Sequence, residues 1–221
     1  GNTSLLTCRD GEIVALNINN TEISPMALGP LPTVIGQLTA LESIVALEAN
    51  LGGLLPSELG NLRSLTTLHV EGASIVGRIP TELGLTPLET IRLNSNPGLV
   101  GNIPTELHGP VVRGIRRYIE NTRVRLRDLY LENTAVSGTL PLEIGLFTNM
   151  ETLHVHSTSM SGTLPTELGI LSKLKRLDIS STTIGGQFPN TRFNNLMRVL
   201  YALDECNLGV GQFQCYQEDN Y

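Results

Sequence analysis

His154 and His156 alternate along the segment Leu-His-Val-His, and paired imidazoles on one strand face can ligate a metal when a carboxylate stands beside them. Glu132 precedes His156 by the same spacing at which Asp178 follows His154. Alternate residues of a strand are about 6.6 Å apart, and no fourth ligand is apparent, so no metal site is expected. His69 falls three strands from His154, roughly 14 Å away at strand spacing, too far to join it. His154, Asp178 and Ser180 have the residue types of a nucleophilic triad. That chemistry needs an enclosed pocket and preorganised oxyanion donors, which an open sheet face does not offer. No phosphate-cradling glycine loop and no activated-cysteine motif occurs. The expectation is a non-enzymatic chain without a cofactor.

Cys8, Cys206 and Cys215 form no CxxC pair and have no histidine at zinc-ligand spacing. The close pair Cys206 and Cys215 reads as a disulfide clip, with Cys8 left over to pair with a lost residue or another chain. The triplets beginning at Asn2 and Asn19 are glycosylation sequons and fit a secreted protein. No run of about 18 apolar residues is present, so no membrane span is expected in this chain. The opening Gly1-Asn2-Thr3 suggests a mature or trimmed product. A net charge of −6 argues against general nucleic-acid binding. That net charge is unevenly spread. Arg113, Arg116, Arg117, Arg123, Arg125 and Arg127 face the single acid Glu120, so this segment carries +5 and the remainder −11.

The elements that position these residues follow from a repeat. Prolines recur at positions 32, 56, 80 and 104, then at 141, 165 and 189, with one constant interval that only the step from 104 to 141 exceeds. Within each unit two apolar residues alternate, as in Leu68/Val70, Leu129/Leu131 and Leu153/Val155, which predicts a short strand with one buried face. Glycine follows at one phase (53, 77, 101, 138, 162 and 186), where the backbone must turn in a way that a Cβ obstructs. Each unit closes with a helical-turn start such as Thr81-Glu82-Leu83-Gly84. Here Ser or Thr is expected to cap the turn and Gly to stop it. A unit this short cannot bury its own face, so neighbours must stack into a right-handed solenoid. The 37 leucines among 221 residues, with only 4% aromatics, suit its narrow aliphatic interior.

Residues 65–84, Leu-Thr-Thr-Leu-His-Val-Glu-Gly-Ala-Ser-Ile-Val-Gly-Arg-Ile-Pro-Thr-Glu-Leu-Gly, resemble the plant-type leucine-rich repeat with its Gly-x-Ile-Pro signature. Receptor-like kinase ectodomains, receptor-like proteins and polygalacturonase-inhibiting proteins carry this repeat. The resemblance implies an α/β solenoid of about seven 24-residue repeats, with a parallel concave sheet, short 3-10 or α turns on the convex side, and capped ends. By it, residues 1–13 end an N-terminal cap, 14–189 form the solenoid and 190–221 the C-terminal cap, where Cys206 and Cys215 take the place of the family's cap cysteines. It also implies an extracellular or cell-surface recognition module for a protein, peptide or polysaccharide. Inhibition of a cell-wall hydrolase and a structural role in a matrix or filament are the alternatives.

Two departures stand out. The family's turn asparagine is Thr21, Ala49, Ala73, Asn96, Thr134, Thr158 and Thr182 in successive units, and alanine is expected to leave turn backbone to water or to a rearranged turn. Insertions occur near residues 24–27 and 109–125. The second has Val111, Ile115 and Ile119 at helical spacing with Arg113, Arg116 and Arg117 between them, and Arg123 follows. It predicts a basic amphipathic helix that either associates with another chain or is simply a solvated cover.

On the concave side the outward columns contain Asn17, Val45, His69, Arg92, Tyr130, His154 and Asp178, then Asn19, Leu47, Glu71, Asn94, Glu132, His156 and Ser180. The candidate partner-binding residues are His69, Glu71, Arg92, Tyr130, Glu132, His154, His156 and Asp178. Arginine and tyrosine are frequent interface anchors. A threonine column, Thr67, Thr90 and Thr152, is a remote ice-binding candidate interrupted by Asp128 and Arg176.

Overall fold

A computed structural model describes residues 5–19, 29–109, 124–185 and 205–207. In chain order its strands are β1 (Leu6–Arg9), β2 (Glu12–Asn19), β3 (Ser43–Leu47), β4 (Thr67–Glu71), β5 (Val76–Gly77), β6 (Thr90–Arg92) and β7 (Gly98–Gly101). The others are β8 (Asp128–Tyr130), β9 (Ala135–Gly138), β10 (Thr152–His154), β11 (Ser159–Thr163), β12 (Arg176–Asp178), β13 (Thr183–Gly185) and β14 (Glu205–Asn207). Among the described residues the concave sheet runs β1-β2-β3-β4-β6-β8-β10-β12-β14, and a second sheet, β13-β11-β9-β7-β5, lines a flank. All concave pairings are parallel except β1 with β2.

The alternating apolar pairs build the core. Ile44, Ala46, Leu68, Val70, Ile91, Leu93, Leu129, Leu131, Leu153, Val155, Leu177 and Ile179 are at most 1% exposed. They join Leu59, Leu83 and Leu168 from the convex turns in one aliphatic cluster, with Phe147 the aromatic ring within it. At the phase after Leu51, Ile75, Leu99, Val136 and Met160, glycines 53, 77, 101, 138 and 162 take φ values from 65° to 85°, so left-handed backbone accounts for that glycine column.

The convex turns depart from the sequence expectation in two ways. They are 3-10 turns whose N-cap residue is the proline itself, with no side-chain cap. The Ser or Thr hydroxyl donates instead to the next glutamate, as from Ser57 Oγ to Glu58 Oε2 at 3.2 Å. The glycine sits inside the turn and is buried rather than ending it. A Cβ on Gly60 would lie 2.6 Å from the Glu82 carbonyl oxygen, and one on Gly36 2.7 Å from that of Glu58. Glycine is needed there because successive convex turns pack backbone on backbone.

The alanine turns also differ from expectation. Asn96 is fully buried, and its Oδ1 accepts from the amides of Ala73 and Ile75 in the preceding unit, both at 3.0 Å. Its Nδ2 donates to the carbonyls of Val70, Leu93 and Asn94. Ala73 therefore leaves its turn backbone to the next repeat's side chain, not to water. Thr134, Thr158 and Thr182 act locally, each hydroxyl donating to the carbonyl three residues back. Cys8 is exposed and has no disulfide partner among the described residues. Asn2, the segment 24–27, Arg113, Arg116, Arg117, Arg123 and Cys215 lie outside the described residues, as do the side chains of Asn19 and Cys206.

Asn96→Ala is expected to lower the free energy of unfolding by about 2–5 kcal/mol, because it strands two buried amides and two or more carbonyls. Asn96→Thr costs less, since it regains the bond to Leu93. Urea unfolding monitored by circular dichroism measures both; equal stability of Asn96→Ala and the parent chain would contradict the bridging role. Gly60→Ala is expected to cost about 1–3 kcal/mol through overpacking against Glu82, read in the same assay.

Candidate functional site

Parallel register carries each concave column from strand to strand. Val45 pairs with His69, His69 with Arg92, Arg92 with Tyr130, Tyr130 with His154, and His154 with Asp178. The strand pleat that buries Leu129 and Leu131 turns Tyr130 and Glu132 outward. The Arg92 guanidinium carbon lies 4.4 Å from the Tyr130 ring centroid, a cation–π contact. His154 meets the same ring edge-on at 5.0 Å with an interplanar angle of 76°. Arg92, Tyr130 and His154 thus form a continuous stack across three strands. Val45 and Leu47, expected to be exposed, are half-buried.

The second column is more polar. His69 Nε2 and Glu71 Oε2 pair at 2.9 Å, apart from the His154 cluster. His156 lies 6.5 Å from His154, centroid to centroid, and its Nδ1 contacts Ser157 Oγ at 3.2 Å. Among the described residues no group of three or more His, Cys, Asp or Glu side chains is placed to hold a metal. Asp178 Oδ1 accepts from the Ser180 hydroxyl at 2.6 Å and from the Ser180 amide at 3.0 Å. Ser180 is therefore bonded to the carboxylate rather than poised against an imidazole, and the triad geometry is not formed. The Thr90 and Thr152 hydroxyls are likewise engaged, with Asp128 and Arg176 respectively.

The pairing of Asn94 with Glu132, itself a candidate from the sequence, is the feature that residue types alone did not single out. The ladder of β6 with β8, continued by the bond from the Ser95 amide to the Glu132 carbonyl, sets Asn94 beside Glu132. Among the described residues, Asn94 Oδ1 and Glu132 Oε2 are both buried without a hydrogen-bond partner. Burial pushes the Glu132 carboxyl up from its ordinary range, and the negative charge of Glu71 adds to this; a backbone hydrogen bond, His156 and Arg92 oppose it. Two polar residues sharing one phase in adjacent units were the only sequence signal.

A carboxylate at the sheet edge behaves oppositely. Glu151 accepts from Lys175 Nζ at 2.8 Å and from Arg127 Nε and Nη2 at 3.0 and 2.5 Å. Those donors bring its pKa down to about 2. A depressed acid stabilises the fold fully above its unfolded pKa, and that contribution is lost as pH falls from about 4.5 toward 2. Glu151→Gln is expected to flatten this part of the stability–pH curve, measured by thermal unfolding over the acid range; an unchanged slope would show that the bridges contribute nothing.

No protein-family model matches the chain, and no curated protein matches it in sequence. Solved structures match in fold. The plant peptide hormone receptor RGFR1, in complex with RGF2, shares 23% identity over 92% of this chain and 36% of its own, with a TM-score of 0.71. A TDR receptor shares 26% identity over 82% of this chain and 28% of its own, with a TM-score of 0.64. A plant ice-binding protein shares 23% identity over 92% of this chain and 67% of its own, with a TM-score of 0.70. The chain spans about a third or less of the two receptor chains it matches. Together with the constant repeat period and the concave ladder, these likenesses establish the fold as that of the plant-type leucine-rich repeat solenoid.

Proposed function

We propose that this chain is a non-catalytic recognition module, working outside the cell or at its surface, that binds an extended peptide or protein segment laid across the concave strands. The observation that carries this reading is the stack of Arg92, Tyr130 and His154 on three adjacent strands. A π-stacked cation and two rings on a rigid sheet offer contact area at low entropic cost, and arginine and tyrosine dominate interface hot spots. Support also comes from RGFR1, a peptide hormone receptor solved with its peptide. The polysaccharide reading and association through the basic segment at 109–125 have no comparable geometric support.

Panning a displayed random-peptide library on the whole chain tests the reading. Selected peptides are expected to lose tenfold or more in affinity, over about 1.4 kcal/mol, when Tyr130→Ala and His154→Ala are combined. Peptides whose affinity ignores both substitutions would move the interface off the concave face. Inhibition of a polygalacturonase, or self-assembly on size-exclusion chromatography, would instead favour the inhibitor or the matrix reading.

A second reading, adsorption to ice, is favoured by the likeness to a plant ice-binding protein. The five-stranded flank sheet, rather than the engaged threonine column, is the surface this reading assigns to ice. Thermal hysteresis of the purified chain decides this reading directly, and its absence would remove it.

A further inference from the structure

We propose that Asn94 and Glu132 form an acceptor subsite that receives a cationic nitrogen of the ligand: a lysine ammonium, an arginine guanidinium or a peptide's N-terminal amine. This rests on the concave-face reading and gives its ligand a chemistry.

Asn94 is only 8% exposed, and more than nine in ten buried polar groups of folded proteins are hydrogen-bonded. Here two acceptors that neighbour each other in register both lack a partner. An unmet buried acceptor leaves its desolvation uncompensated, and an amide oxygen and an ionised carboxylate oxygen cannot satisfy one another. The internal cations near Glu132 act on it without forming an ion pair. Arg92 lies over the Tyr130 ring, and the ion pairs among the described residues include none to Glu132. His156 contacts Ser157, and Glu71, two strands from Glu132, is paired with His69. Either the Asn94 amide nitrogen turns toward Glu132 or the missing donor comes from outside, the arrangement proposed here.

A cationic nitrogen fits better than a neutral donor. It carries several N–H groups for the two oxygens, and charge-assisted bonds to a carboxylate are roughly twice as strong as neutral ones. It also relieves the burial that holds the Glu132 carboxyl toward its neutral form. The terminal torsions of Asn and Glu are broad, so both oxygens can turn toward a ligand without backbone movement. Tyr130, two residues before Glu132 and on the same strand face, offers ring surface to the stem of a long basic side chain.

The test follows the Glu132 side-chain carboxyl by carbon-13 NMR in the whole chain, titrated with acid in the presence and absence of argininamide. The expected result is a free-state pKa above the ordinary carboxylate value that falls when argininamide binds, with argininamide affinity rising as pH rises through that pKa. Glu132→Gln and Asn94→Leu are each expected to weaken argininamide about tenfold. N-acetylglycine, an anion, is expected not to bind. A carboxyl that titrates at or below the ordinary value would mean that the Asn94 amide nitrogen already serves it, and would overturn the proposal. So would saturation that is indifferent to both substitutions. Peptides selected on the chain separate the two readings. Loss with Tyr130→Ala but none with Glu132→Gln sinks the subsite and leaves the concave interface standing. The reverse pattern keeps the subsite and removes the stack.

Discussion

Every part of this molecule depends on one constraint: a repeat too short to bury its own strand must lie a strand spacing, about 4.8 Å, from the next. That spacing puts convex turns close enough for the carbonyl of Glu82 to occupy the place of a Gly60 side chain. It lets Asn96 reach back to the turn at Ala73, and lets Arg127 and Lys175 reach Glu151 from either side. Each contact crosses between repeats, and none would exist in an isolated unit. Stability is therefore a property of the stack, as in other repeat proteins whose energy is a sum of nearest-neighbour terms.

The same spacing makes the concave face more than a list of residues. Side chains of unlike chemistry become neighbours because their units share a phase, so Arg92 is held over Tyr130 and Glu132 is set beside Asn94. Glu132 and Glu151 have the same side chain on the same solenoid, yet burial outweighs a backbone hydrogen bond and raises one, while two cationic donors lower the other. The edge carboxylate is satisfied from within and serves the stack. The concave carboxylate keeps one oxygen unpartnered among the described residues, and the proposed subsite rests on that.

Much of this was legible in the residues. Alternating aliphatic pairs identified the buried strand positions, the glycine column identified the left-handed turn, and a constant period put the outward columns in register. Where the reading failed, local rules had been applied to positions governed by the neighbouring repeat. Threonine and glycine around the convex turn looked like a cap and a stop, but proline holds the cap position and glycine makes room for the next turn. Ala73 looked like a turn without a partner because its partner is a side chain of the following repeat. The open face had already argued against a triad of His154, Asp178 and Ser180, and the Ser180 hydroxyl bonds to Asp178.

The amino-acid sequence alone determined the repeat, the fold, the buried and outward faces, and the types of side chain lining the concave sheet, because a period and an apolar alternation are properties of the chain read in one dimension. Tertiary structure decided which of those side chains are satisfied. Whether Glu132 has a donor, or Arg92 points at a ring rather than an acid, depends on distances and burial set between strands that belong to different repeats. Desolvation and hydrogen-bond geometry act at those distances, and no residue type encodes them.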